Sequence, residues 1–252
     1  MSAKMHGNIT GEESKMARLG VNIEHIALIR IREKDSEPDP VQAAVFIEMA
    51  GADGIVCPIR PESQLLTERD VRLLKEVVKT HLNLKIPPLK NMLTLALSTV
   101  PDMITIVPGQ KPGSTQGGGL DVLGRMEELA QVVHDIRGRD IVVSLLIEPI
   151  IHQVKAAAKV GADYVEFHLG RYSLTEDLNE RIDMLENINS VSLAASKIGL
   201  GVAAGQGLNY LNVTEIASLE KIEEINIGHA IVARALWVGM EQAVRDMVVL
   251  VH

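Results

Sequence analysis

The residues able to do chemistry fall in short clusters at the ends of apolar runs. Asn22, Glu24 and His25 lie in the first run, GVNIEHIAL; Pro58 and Arg60 end GIVCPIR; Lys85 sits in NLKI. The glycine-rich segment PGQKPGSTQGGGL adds Lys111, Ser114 and Thr115, and DYVEFHL adds Glu166 and His168. AAGQGL holds Gln206 between Gly205 and Gly207, and EINIGHA puts Asn226 ahead of Gly228 and His229. Carboxylates, imidazoles and a lysine gathered in one place suit acid–base or carbonyl chemistry. The glycines suit an anion, because a residue without Cβ lets a ligand approach the main chain closely. At Gly228-His229 a helix start adds free N–H groups and the helix dipole, which together favour phosphate. The plainer alternative is that these glycines serve only tight turns.

What positions these clusters is a repeating unit. Short β-branched runs recur from Gly20, Gly54, Leu84, Met103, Ile141, Asp163, Gly201 and Glu224, each followed by a helical stretch. The first helix follows Pro38-Asp39-Pro40, the second is TERDVRLLKEVVKTH with Thr67 as N-cap, and the last is HAIVARALWVGMEQAVRDMV. AGADGI and VGADYV repeat one device: a helix closed by Gly, a tight turn, then a strand. Eight such units predict a closed (β/α)₈ TIM barrel with extra helices, in a single domain over 19–252. Residues 1–18 read as a polar, disordered leader. An open doubly wound sheet is the alternative, but no G-x-G-x-x-G follows the first strand. In a barrel the strand C-termini form the site, and the loops after strands 7 and 8 often hold phosphate.

Composition narrows the partners. The 252 residues carry a formal net charge of −8 and only one Trp, three Tyr and two Phe, so neither the basic stripe nor the stacking platform of a nucleic-acid binder is present. The core must be aliphatic, and the barrel interior is predicted to be filled by Val, Ile and Leu. The single cysteine, Cys57, excludes an intrachain disulfide framework and reads as a buried thiol pointing away from the barrel axis rather than a nucleophile. No run reaches the roughly 20 apolar residues that span a bilayer, and the N-terminus lacks a secretory signal, so the expected location is the cytoplasm. Trp237 and the Met-rich last helix are expected to pack in a core or a subunit interface. His134, on a charged helix, is expected to be solvated.

The blocks GVNIEHIALIR, PDPVQAA, AGADGI, LTERDVRLLK, GGLDV, VKAAAKVGA, AAGQGL and EINIGHAIVARA resemble, in order and spacing, the pyridoxine 5′-phosphate synthase family. The resemblance runs from about Leu19 to the C-terminus. It implies a (β/α)₈ barrel with added helices, a homo-oligomer up to an octamer, and no metal or organic cofactor. The implied reaction joins 1-deoxy-D-xylulose 5-phosphate and 3-amino-2-oxopropyl phosphate, in vitamin B6 biosynthesis. It also implies that Asn22, Arg60, Thr115, Glu166, Gly207, Gly228 and His229 bind substrate, with Glu24-His25 standing where the family has Asp-His.

The positions the resemblance marks as catalytic differ. A His on strand 2 is Pro58, a Glu on strand 3 is Lys85, and a His after strand 7 is Gln206; a further binding His is Leu65, and a loop arginine falls on Glu33 or its neighbour Arg32. Proline and glutamine do not titrate, and each lost acid–base group is worth roughly 10²–10⁴-fold in rate. Sequence therefore predicts a family protein that binds phosphorylated ketones with its family activity lost or altered. A non-catalytic binder of phosphorylated metabolites, or a barrel enzyme acting on triose- or indole-type phosphates, are the alternatives. Lys85 itself is readable in two ways: as an amine that attacks a ketone to form a Schiff base, or as a space-filling lysine paired with Glu24 or Glu166.

Overall fold

The computed structural model describes residues 16–33, 35–60, 65–109 and 118–252. Eight strands run parallel: β1 (Arg18–Asn22), β2 (Gly54–Pro58), β3 (Leu82–Ile86), β4 (Met103–Ile106), β5 (Val142–Ile147), β6 (Tyr164–His168), β7 (Gly201–Gly205) and β8 (Glu224–Ile227). Each pairs with the next, and β8 pairs back to β1 through Gly20↔Asn226, so the sheet closes into a barrel. Around it lie α1 (Glu24–Glu33), α2 (Pro40–Met49), α3 (Glu68–Val77), α4 (Lys90–Thr99), α5 (Met126–Arg137) and α6 (Ile151–Lys159). The ring continues with α7 (Gly170–Leu174), α8 (Leu178–Lys197), α9 (Val213–Ala217), α10 (His229–Val238) and α11 (Met240–Val251). The (β/α)₈ TIM barrel with extra helices is the fold. Residues 1–15 of the expected leader lie outside the described residues, and β1 begins at Arg18.

Strand alternation separates two sets of side chains. Leu19, Val21, Ile55, Leu84, Ile104, Leu145, Val165, Phe167 and Ile225 belong to one continuous apolar core with the helices. The alternate positions face the lumen: Asn22, Asn83, Lys85, Thr105, Ser144, Glu166, Glu224 and Asn226, with Gly20, Gly201 and Gly205 between them. The expectation of a Val, Ile and Leu interior is thus corrected. The aliphatic bias of the composition mainly fills the layer between barrel and helices, while the lumen mixes polar groups and glycine with Val56, Met103 and Ala203. The lumen glycines are steric necessities: a Cβ on Gly20 would lie 2.1 Å from Asn226 Oδ1, and one on Gly201 would lie 2.2 Å from the Tyr164 ring. Cys57 falls on the core side, fully buried, and burial drives its thiol far above the usual cysteine range.

Several boundaries differ from the sequence reading: α3 closes at Val77, short of the predicted His81, and two others shape the chain around the site. The first apolar run is not one strand: β1 stops at Asn22 and α1 starts at Glu24. Asn22 Oδ1 accepts the Glu24 amide at 2.8 Å, and the Ile23 carbonyl accepts the amides of Ile26 and Ala27, so the chain turns helical at once. The last helix is two, α10 and α11, broken at Gly239 with φ +81, a backbone region that glycine tolerates best. Trp237, at the end of α10, is 87% exposed and His134 is exposed too, so the tryptophan packs in no core of this chain.

Local signals place α3 and tie it to α1. Thr67 accepts the Asp70 amide while the Asp70 carboxylate accepts the Thr67 amide, a reciprocal capping box. The same carboxylate takes a two-pronged bond from Arg30 of α1, with Nη2–Oδ2 at 2.6 Å and Nη1–Oδ1 at 3.1 Å. Arg30 Nη2 also donates to the Leu65 carbonyl at 2.9 Å. Thr67→Ala removes the cap oxygen and is expected to lower stability by about 1 kcal/mol, read from the shift of the urea midpoint at unchanged slope.

Candidate active site

The C-terminal ends of the strands bring most of the sequence-predicted residues together. Lys85, from β3, reaches across the lumen to Glu166 of β6, with Nζ 2.5 Å from Oε1. Their side chains are 12% and 2% exposed. The second oxygen, Glu166 Oε2, is buried and has no hydrogen-bond partner among the described residues. Of the two partners open to Lys85, Glu24 and Glu166, it is Glu166 that pairs with it. Glu24 instead meets Arg60, with Oε1 3.3 Å from Nε. Pro58 ends β2 buried beside Lys85 in register, and Thr105 of β4 flanks Lys85 on the other side.

His25 occupies the first turn of α1, not a strand, and its ring centroid lies 5.1 Å from that of His229. Burial lowers its pKa from the usual 6.5; the Glu24 carboxylate opposes that and the neighbouring His229 adds to it. The ring is therefore neutral near pH 7, with a buried Nδ1 that has no partner among the described residues. Its NMR midpoint is expected below 6.5, and Glu24→Gln, which removes the charge that raises it, is expected to lower it further.

The loop after β7 turns sharply. Gln206 and Gly207 both have positive φ, +75 and +80, and Ser173 Oγ donates to the Gln206 carbonyl at 3.1 Å. A Cβ on Gly207 would meet Ser173 at 2.5 Å, and one on Gly205 would meet Glu166 Oε1 at 2.5 Å. Gly228 caps α10, and a Cβ there would press on the Asn22 carbonyl oxygen at 2.9 Å. Asn22, Gly228 and His229 thus meet where β1 and β8 close, next to the β7 loop through Asn226, whose Nδ2 and Oδ1 are buried without protein partners. Thr115, Lys111 and Ser114 lie outside the described residues.

Sequence reasoning passed over Glu148. It follows β5 directly and lies with Oε1 3.3 Å from His168 Nδ1, while accepting the Gly119 amide at 2.9 Å. The His168 contact holds the Glu148 carboxyl below its usual range; burial opposes this and the Gly119 amide reinforces it. A cavity of about 320 Å³ opens beside the pair, reaching Arg171, Met184 and Asn187. The signal was an acid at a strand end in SLLIEP, the same signal that singled out Glu166. Among the described residues, no group of three or more His, Cys, Asp or Glu is placed to hold a metal ion.

Titratable and polar groups converging on the C-terminal mouth of a closed parallel barrel define a (β/α)₈-barrel protein of the kind that works at its βα loops. The family profile described as Pyridoxal phosphate biosynthesis protein PdxJ matches residues 19–252, and the chain belongs to that family. It is 48% identical over 236 residues to a protein of Geobacter sulfurreducens named Pyridoxine 5′-phosphate synthase, covering 94% of this chain and 99% of that one. A protein of the same name from Geobacter metallireducens is 46% identical with the same coverage, and one from Synechocystis is 44% identical over 233 residues, 92% of this chain and 96% of that one. Among solved structures, thiamine phosphate pyrophosphorylase from Pyrococcus furiosus superposes with a TM-score of 0.63 at 14% identity, covering 94% and 96% of the two chains. Its likeness concerns the fold alone.

Proposed function

We propose that this chain acts in vitamin B6 biosynthesis as a pyridoxine 5′-phosphate synthase, working on phosphorylated ketones at the barrel mouth. The observation that carries this reading is its identity of 46–48%, nearly end to end, with relatives bearing that name. The expectation that the family activity is lost finds no support in those comparisons. In this reading the turn at Gly207 and the start of α10 at Gly228-His229 receive a phosphate on backbone N–H groups. Asn22 and Arg60 contact substrate from β1 and from the residues after β2, and Thr115 does so from the loop after β4. Ring formation needs repeated proton transfers; neutral His25, the Glu148–His168 pair and Glu166 are the groups in place to accept and return protons. The chain binds no cofactor, nucleic acid or membrane in this reading, and works in the cytoplasm; among the described residues no helix is long and apolar enough to cross a membrane.

A second reading rests on Pro58, Lys85 and Gln206, which stand where the resemblance calls for His, Glu and His: the mouth binds the same phosphorylated ketones but changes or omits the chemistry. One assay separates them. Purified protein is given 1-deoxy-D-xylulose 5-phosphate and 3-amino-2-oxopropyl phosphate, and pyridoxine 5′-phosphate and released phosphate are measured. Turnover supports the first reading; tight calorimetric binding of either ketone with no product supports the second. A homo-oligomer belongs to the same proposal, supported by the exposed Leu236, Trp237 and Val249; light scattering is expected to give a mass that is a multiple of 27.4 kDa.

A further inference from the structure

Among the described residues Lys85 is the only lysine on a strand, and it stands on the lumen side. Its amine is in contact with a carboxylate that is itself almost wholly buried, and that carboxylate has a second oxygen with no partner among the described residues. The carboxylate also packs against Gly205, where a Cβ would lie 2.5 Å from Glu166 Oε1. One oxygen atom therefore joins the lysine amine to the start of the Gly205-Gln206-Gly207 turn. A phosphorylated ketone bound there, its carbonyl one to three carbons from the phosphate ester as in dihydroxyacetone phosphate or 1-deoxy-D-xylulose 5-phosphate, brings an electrophile to the end of the barrel that carries Lys85. The neighbours of Lys85 in register, Pro58 and Thr105, carry no charge that competes for the amine.

We infer that Lys85 is an imine-forming nucleophile for phosphorylated ketones, with Glu166 as its proton acceptor. The inference rests on the proposed function insofar as the ligand is a phosphorylated ketone. The ammonium of Lys85 passes one proton to the Glu166 carboxylate. The freed lone pair forms an N–C bond to the carbonyl carbon as the C–O π bond breaks, and the carbonyl oxygen takes up the proton from Glu166. The carbinolamine then expels its hydroxyl as water, the nitrogen supplying the second hydrogen, and an imine remains. No oxidant, reductant or metal enters.

Borohydride trapping tests it. The full chain is incubated with 1-deoxy-D-xylulose 5-phosphate or with dihydroxyacetone phosphate, reduced, weighed intact by mass spectrometry and mapped by peptide. The expected result is one reduced adduct per chain, on Lys85, suppressed by inorganic phosphate and absent from Lys85→Arg. Glu166→Gln is expected to slow trapping by about 100-fold, the scale of a positioned proton acceptor. Calorimetric binding of the ketone is measured alongside. Binding or pyridoxine 5′-phosphate formation without an adduct, or an adduct on another lysine, overturns the inference and leaves the proposed function standing. Absence of any ketone binding overturns both.

Discussion

Lys85→Met with Glu166 kept is expected to destabilise the barrel by about 3–5 kcal/mol, because breaking a buried pair strands an uncompensated charge. Glu166 is 1% exposed, one of its oxygens already lacks a partner among the described residues, and Lys85 Nζ is the group that engages the other. The double replacement Lys85→Met with Glu166→Leu removes both charges and is expected to recover most of that loss, since a buried pair is often no better than an apolar couple of similar volume. Guanidinium unfolding of the parent, the single variants and the double variant closes the cycle. A single-variant loss below about 1 kcal/mol, the scale of an exposed pair, would mean that water at the mouth already solvates Glu166.

Arg30→Met is the second large effect, at about 3 kcal/mol, for it strands Asp70 at 1% exposure between α1 and α3. This change has a distinct pH signature. Burial would raise the Asp70 pKa, but the Arg30 fork and the Thr67 amide and hydroxyl overcome it, and the net shift is downward from 3.8. A carboxylate with a depressed folded pKa contributes stability that is present above its unfolded pKa and is lost as pH falls through the folded value. The parent should therefore lose this contribution from about pH 3.8 downward, and Arg30→Met should flatten that part of the curve because the largest lowering partner is gone. Denaturant midpoints between pH 5 and pH 2 measure it. The site should suffer too, since Arg30 pins the helix whose first turn carries Glu24 and His25.

Much of this was legible in the sequence, and the reasons are local. The Gly-Ala-Asp turns, the Thr67 cap and the eight β-branched runs are short-range signals, and each forms the element it predicts. The strand-end residues were legible because a parallel barrel exposes only those ends to a ligand. What escaped did so for two reasons, one local and one not. GVNIEHIAL reads as a strand because its apolar residues alternate, yet the Asn22 side chain caps Glu24 and starts a helix. The choice of Glu166 over Glu24 as the partner of Lys85 depends on which strands lie opposite across the lumen, a matter of barrel closure that spacing along the chain does not encode. Glu148 carried the same strand-end signal as Glu166, but its meaning comes from His168, one strand over, and from the Gly119 amide.

The alternation of the strands has a consequence for how such a chain can change over time. Odd and even positions along each strand answer to different selection. The outward set, with Leu84, Ile104 and Phe167, is held to shape and volume by the helices packed on it. The inward set is held by what the mouth must do. Pro58 and Lys85 both fall on the inward set, and Gln206 lies in the loop just past β7. The three positions that the resemblance marks as catalytic thus sit outside the apolar layer that packs barrel against helices. A barrel built this way can drift in chemistry with its architecture intact, and a reader of its relatives should compare the two sets of positions separately, because overall identity averages over both.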